Sequence, residues 1–375
     1  MIRNSYFHAI LISILLIIIC VLLRPILPLD ETRYLSVSWD MWANKSYVVP
    51  TLNGALYHHK PPLLFWLINL LWNIIGINEF LTRLVAPFFS LGVIINLYFI
   101  STFLSPKNKS IKLISPLILL SSLLWLICSS LTMFDIMLTF FFTLSLVGVL
   151  FLKNSYYKNI SVYNFLIGSL IYGFSMGLGV LTKGPIILVF SIPVFLFYFI
   201  WDTSENRFSL KFIIYWYSGF IFSLIISLFI SLFWALSASS IGGDDFKNAI
   251  FWGQSANRVL SGMSHTRSWW WYFSILPIVL FPWFFMPIVW KNSLKKNIFL
   301  NQGFRFCLFI IIFSLIILSV FADKQPHYLV PLIPIVCLII SYILSNSIHV
   351  NISKTNYIPI YITLIIYLFC SYILL

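Results

Sequence analysis

An all-α polytopic membrane protein is what this sequence predicts, and three observations predict it. Only 9% of its 375 residues are charged and 61% are hydrophobic, where a soluble domain carries roughly 25% charged residues. Apolar runs of about 20 residues, the length that crosses a bilayer as a helix, recur along the chain. The runs are continuous, whereas a membrane β-barrel would alternate apolar and polar positions. The expected architecture is about 11 transmembrane helices in a single domain, residues 1–375, with a large first external loop of juxtamembrane helices.

The first helix is expected over 7–27. Arg24 and Pro25 follow it where a signal peptide would show small residues before cleavage, so the segment reads as an uncleaved span. Further spans are expected near 80–104, 111–130, 136–152, 163–181, 184–201, 211–237, 270–290, 304–321, 328–346 and 357–375. The connections between them alternate in character. One set is short and lysine-rich, with Lys107, Lys109, Lys112, Lys153, Lys158, Arg207, Lys211, Lys291, Lys295, Lys296, Arg305 and Lys354. Arg3 belongs to the same side. A basic excess marks the cytoplasmic side, which places the N-terminus inside and the first loop outside. The net charge of +13 is thus a matter of topology, and nucleic-acid binding is set aside. Pro61–Ile75 is too short for a comfortable span and is expected to lie along the outer interface. The five cysteines all fall in apolar runs and form no disulfide framework or metal motif.

The polar groups then gather at the outer face. Residues 28–79 form the first external loop and 241–269 the second. The first carries Asp30, Glu31, Tyr34, Tyr57, His58, His59 and Lys60. Asp30 and Glu31 follow the first helix directly; two acids at a helix exit also suit plain hydration. Asp135 is the only charge between Lys112 and Lys153. It suits a helix N-cap, and equally a paired-carboxylate site with Asp30. Lys60 precedes Pro61 and Pro62 at an expected helix start, where partial positive charge and free N–H groups favour an anion. The alternative is a lysine anchored to headgroups. Lys183-Gly184-Pro185 repeats the theme. Arg258 can add a bidentate fork to a phosphate held by Lys60. His327 and Tyr328 stand at another helix start. Trp269, Trp270 and Trp271 suit an interfacial belt. No cofactor is certain. A divalent metal at His59 and His265 is open, although no dense ligand spacing occurs.

DETRY, YHHKPPLLFW, LTMFD, GLGVLTKGP and DKQPHYLVPLIP, in this order, resemble the polyprenyl-phosphate-dependent GT-C glycosyltransferases. Within them the likeness is to the aminoarabinose lipid A transferases and the protein O-mannosyltransferase superfamily. The resemblance covers about residues 30–335. It implies juxtamembrane helices over a cavity, catalysis at the outer face and inversion at the sugar. It implies that Asp30 is the catalytic acid, with Glu31 beside it, and that Asp135 is a second cavity acid. It gives Lys60 and Arg258 the carrier phosphate, and Lys183, from its own position, is expected to join them. Tyr34, Tyr57, His327 and Tyr328 would line the substrate. One departure is His59, where the aminoarabinose enzymes usually have an acid. Another is the end of the chain, which shows no soluble C-terminal domain. The expected function is transfer of a sugar from an undecaprenyl (polyprenyl) phosphate donor to lipid A or another surface glycolipid, in the bacterial inner membrane with the site on its periplasmic side. The alternatives are a protein O-glycosyltransferase, and a transporter or flippase of a lipid-linked sugar.

Overall fold

The computed structural model describes residues 2–158, 160–253, 266–293 and 296–345, with positions 358, 361, 362 and 365. Among these, seven helices are long and apolar enough to cross a membrane, or eight if one bent pair counts as a single span. The protein is therefore an integral membrane protein. The seven are Tyr6–Leu23, Glu79–Leu104, Phe134–Lys158, Val162–Lys183, Leu210–Phe251, Gln302–Val320 and Pro326–Ser345.

Several expected spans are broken. The 111–130 segment bends by 68° between Lys109–Leu120 and Leu123–Ser129. The 184–201 segment divides into Ile186–Leu196 and Tyr198–Trp201. The 270–290 segment is three short pieces, Trp271–Val279, Trp283–Phe285 and Pro287–Ser293. Pro277, Pro282 and Pro287 recur every fifth residue there, and each removes a backbone donor and crowds the preceding turn. The 211–237 helix runs on to Asn248, with a break at Gly243 (φ 77°), so the segment expected as the second external loop begins inside a helix. The 357–375 segment lies almost wholly outside the described residues.

We number the helices that build the site α1 (Ile2–Leu23), α2 (Asp30–Ala43), α3 (Leu63–Ile75), α4 (Glu79–Leu104), α5 (Lys109–Leu120), α6 (Leu123–Ser129), α7 (Phe134–Lys158) and α8 (Val162–Lys183). The centre of the bundle is α7. In its most apolar stretch 83% of residues are buried, against 28% in the first span. The cause is lateral enclosure by α4, α8 and the Pro326–Leu332 segment. Gly148 lets α8 approach: a Cβ there would stand 2.8 Å from the Tyr172 amide nitrogen. The ends of α7 are charged in the sense its dipole favours, with Asp135 in the first turn and Lys158 in the last.

Between α1 and α4 lies the expected juxtamembrane layer. It holds α2, a hairpin of Thr51–Leu52 with Ala55–Leu56, and α3. Asn53 (φ 52°) and Gly54 (φ 79°) make the hairpin turn, both in the left-handed region that Asn-Gly serves best. At 13 residues, α3 is about 20 Å long, well short of the ~30 Å hydrocarbon core. Indole N–H groups fasten the layer to the bundle. Trp72 donates to Thr82 Oγ1 (2.6 Å) and Trp234 to the Val48 carbonyl (2.9 Å), while Trp66 ties α3 to the Tyr47 carbonyl within the layer (2.6 Å).

Candidate active site

Ionisable side chains from five distant segments meet at the end of the bundle where α7 begins. Asp135 is 2% exposed, and Lys183 Nζ lies 2.5 Å from its Oδ1. Each charge sits where its helix favours it: Asp135 in the first turn of α7, Lys183 in the last turn of α8. Gly184 (φ 80°) ends α8 by donating its N–H to the Val180 carbonyl at 2.8 Å. That left-handed turn suits glycine, and Pro185 starts the next helix behind it. The Lys183 ammonium also stands 4.7 Å from the centre of the Tyr328 ring, and Tyr328 packs edge-on against His327 at 4.9 Å. Lys60 and His327 both lie within electrostatic reach of Asp135, and His327 also senses Asp30.

Asp30, half-buried, opens α2. Tyr34, one turn on, donates its hydroxyl to Asp30 Oδ1 at 3.3 Å. Burial, and then the Asp30 charge, push the Tyr34 phenol well above its usual range, so it remains a donor. Tyr34 packs edge-on against Phe134 at 4.8 Å, and Phe65 touches both. Lys60 stands 5.9 Å from the centre of the same Phe134 ring. Tyr57 packs against Phe65 and His59. One aromatic cluster thus spaces the acid Asp30 from the base Lys60.

Beside this cluster lies a cavity of about 220 Å³. Its lining combines the polar side chains of His58, His59 and Lys183 with the apolar ones of Val180, Leu232, Ala235 and Phe251. A lining that offers both polar and apolar groups suits an amphipathic ligand. Trp234, which lines it, was not singled out from the sequence, where a tryptophan inside an apolar helix gives no signal. The His58 and His59 rings lie stacked at 4.7 Å.

Three expectations need correction or placement. Glu31 does not face the cavity. It is 1% exposed, and both its oxygens are held by Arg24, a residue that sequence reasoning missed. Burial pushes the Glu31 carboxyl up, but the Arg24 guanidinium and the Leu27 and Thr132 amides outweigh it and hold it below the ordinary carboxylate range. Lys183, expected on a phosphate, spends its shortest hydrogen bond on Asp135. Arg258 and His265 lie outside the described residues. Among the described residues no three His, Cys, Asp or Glu side chains gather as a ligand set.

Comparison with known proteins follows the same lines. A model of the dolichyl-phosphate-mannose-protein mannosyltransferase family matches residues 11–240, more than half of the chain. The undecaprenyl phosphate-alpha-4-amino-4-deoxy-L-arabinose arabinosyl transferase of Wigglesworthia glossinidia brevipalpis is 29% identical over 343 residues, covering 88% of this chain and 58% of that protein. The enzyme of the same name from Yersinia enterocolitica is 28% identical, covering 87% of this chain and 57% of its own. The crystal structure of ArnT from Cupriavidus metallidurans bound to undecaprenyl phosphate matches with a TM-score of 0.76 at 18% identity, covering 97% of this chain and 63% of that one. At that identity the match speaks for a common fold. The chain spans less than two thirds of the length of these relatives.

Proposed function

This chain belongs to the dolichyl-phosphate-mannose-protein mannosyltransferase family, and from that premise we propose that it is a membrane glycosyltransferase using a sugar carried on undecaprenyl phosphate. The acceptor in this reading is a lipid, lipid A or a related surface glycolipid; the names of the arabinosyl transferase relatives speak for the donor, a sugar on undecaprenyl phosphate. The site faces the periplasm from the bacterial inner membrane, with residues 28–79 and 241–269 outside. The single observation that supports the reading is the convergence of Lys60, Lys183, Asp135, Asp30 and His327 beside a cavity lined by His58, His59 and Lys183 together with apolar side chains.

In the reaction an acceptor oxygen forms a bond to the anomeric carbon from the face opposite the carrier, and the bond from that carbon to the phosphate oxygen breaks. Negative charge grows on the departing phosphate. Lys60 and Lys183 stand ready to neutralise it, and fixed cations aimed at charge that develops in the transition state are an effective catalytic device. Asp135 keeps Lys183 oriented toward the cavity. Asp30, held by Tyr34, takes the proton of a hydroxyl acceptor; toward a phosphate acceptor it positions only. Tyr57, His327 and Tyr328 line the approach.

The test is reconstitution in lipid vesicles with labelled undecaprenyl-phosphate sugar and lipid A. Transfer of label to lipid A is expected. Label that changes leaflet without changing acceptor would make the protein a transporter instead, and no transfer to any glycolipid would remove the lipid acceptor. A protein acceptor is the second reading, favoured by the description of the family; label appearing on membrane proteins rather than glycolipid would establish it.

A further inference from the structure

We infer that Glu31 and Arg24 are positioning residues for the transfer reaction: their buried pair fixes a strained turn in front of Asp30 and ties it to the loop that leads into Asp135. The inference rests on the proposed transferase reading and deepens it.

The turn comes first. Leu29, immediately before Asp30, has φ 75° and ψ −69°, and the Asp30 amide donates to the Pro28 carbonyl at 3.2 Å. Those angles and that bond define the γ-turn of the rarer hand, which is strained for any residue with a Cβ. Leu29 contributes no buried packing to offset it, being 75% exposed. Strain of this kind persists only where the surroundings over-determine it.

Glu31 and Arg24 supply those surroundings. Glu31 Oε2 accepts the Leu27 amide at 2.9 Å on the near side of the turn. Its Oε1 accepts the Thr132 amide at 2.7 Å, three residues ahead of Asp135. Arg24 grips both carboxylate oxygens as a fork and donates to the Ser130 carbonyl at 2.8 Å. Arg83, on α4, donates to the Arg24 carbonyl at 2.8 Å, and Thr132 Oγ1 returns a bond to the Arg83 carbonyl at 3.2 Å. One carboxylate therefore joins the backbone on both sides of the turn to the approach of α7. Asp30 and Asp135 share a single anchor although they are far apart in sequence. An arginine–carboxylate fork fixes orientation as well as distance, and a displacement of about 1 Å in a positioned group can cost 10²-fold in rate.

Two measurements on Glu31→Gln test this, the first by kinetics in reconstituted vesicles. Turnover per folded molecule is expected to fall roughly 10- to 100-fold with the donor KM within about threefold, because the substrate's own contacts are untouched. Wild-type kcat, or a loss confined to KM, overturns the inference. The second readout is hydrogen exchange, which needs no substrate and so separates this inference from the transferase reading. Amides in 25–32 and in 130–135 are expected to lose protection together in Glu31→Gln, while the later turns of α2 keep theirs. Protection unchanged in either segment, or lost across the whole bundle, overturns the shared anchor even if wild-type transfer is robust. Absence of transfer by the wild type would instead count against the transferase reading.

Discussion

Helix α7 carries a buried ion pair near each end, and the two differ in what surrounds them. At the start, Asp135 meets Lys183 at 2.5 Å; near the finish, Lys153 meets Asp202 at 2.7 Å. All four side chains are nearly inaccessible. The far pair is closed off by its neighbours. Asp202 Oδ1 also accepts Gln302 Nε2 at 2.8 Å and Ser204 Oγ at 2.7 Å, and Lys153 lies 5.3 Å from the Trp201 ring centre. The near pair opens onto the cavity through Lys183 and shares its field with Lys60, His327 and Asp30. On the proposed reading, the same chemical pair is a staple at one end and part of a reactive constellation at the other. Desolvation makes a buried pair weak evidence for stability in either place; the surroundings decide its role.

The comparison breaks most sharply at Asp30 and Lys60. Asp30→Asn and Lys60→Ala are each expected to lower vesicle transfer by roughly 10²- to 10³-fold with the protein inserted and folded. Near-normal rates in both would strip the near end of its special status. Next come the pairs themselves. Lys153→Ala leaves the Asp202 charge uncompensated and is expected to cost about 3–5 kcal/mol of stability, with turnover per folded molecule within twofold of wild type. Lys183→Ala is expected to cost a similar amount and also to abolish most transfer. The double replacements Lys153→Met/Asp202→Leu and Lys183→Met/Asp135→Leu sharpen the contrast. Thermal unfolding should recover in both, since apolar side chains of similar volume replace such pairs well. Transfer should recover only in the first.

A smaller effect is expected from pH. The Glu31 carboxyl is held below its ordinary value of 4.5 by Arg24 and two backbone amides that outweigh burial. A depressed acid stabilises the folded state above its unfolded pKa, and that stabilisation is lost as pH falls through the folded value. The melting-temperature difference between wild type and Glu31→Gln should therefore be full above the ordinary carboxylate range and shrink steadily below it. A difference that grows on acidification contradicts the assignment. Smallest of all, Asp40→Ala removes the exposed bond from the Gly54 amide to Asp40 Oδ2 (3.1 Å) and should cost about 1 kcal/mol with no change in transfer.

Much of this was legible in the chain. Continuous apolar runs gave the long spans, and the shortness of Pro61–Ile75 matches a helix of 13 residues. Asp30, Lys60, Asp135, Lys183 and His327 stood out because a charge in such a chain needs a reason, and they do converge. What escaped was pairing. Lys183 and Asp135 are 48 positions apart, and no local pattern shows that one lysine neutralises that acid. Arg24 read only as the flank of a helix, because its fork onto Glu31 exists only once the Leu29 turn has folded. The three short pieces of 271–293 were readable from proline spacing, but the apolar content of the segment masked it.

The central claim is that the near end of α7 grips a phosphate joined to a lipid, and binding tests it without any acceptor. Titration of the purified protein with undecaprenyl phosphate, followed through its tryptophan fluorescence, since Trp234 lines the cavity, should show saturable binding. Lys60→Ala should weaken that binding at least tenfold, and Lys153→Ala should leave it as it was. Equal affinity in wild type and Lys60→Ala, or equal loss in both variants, would contradict the account.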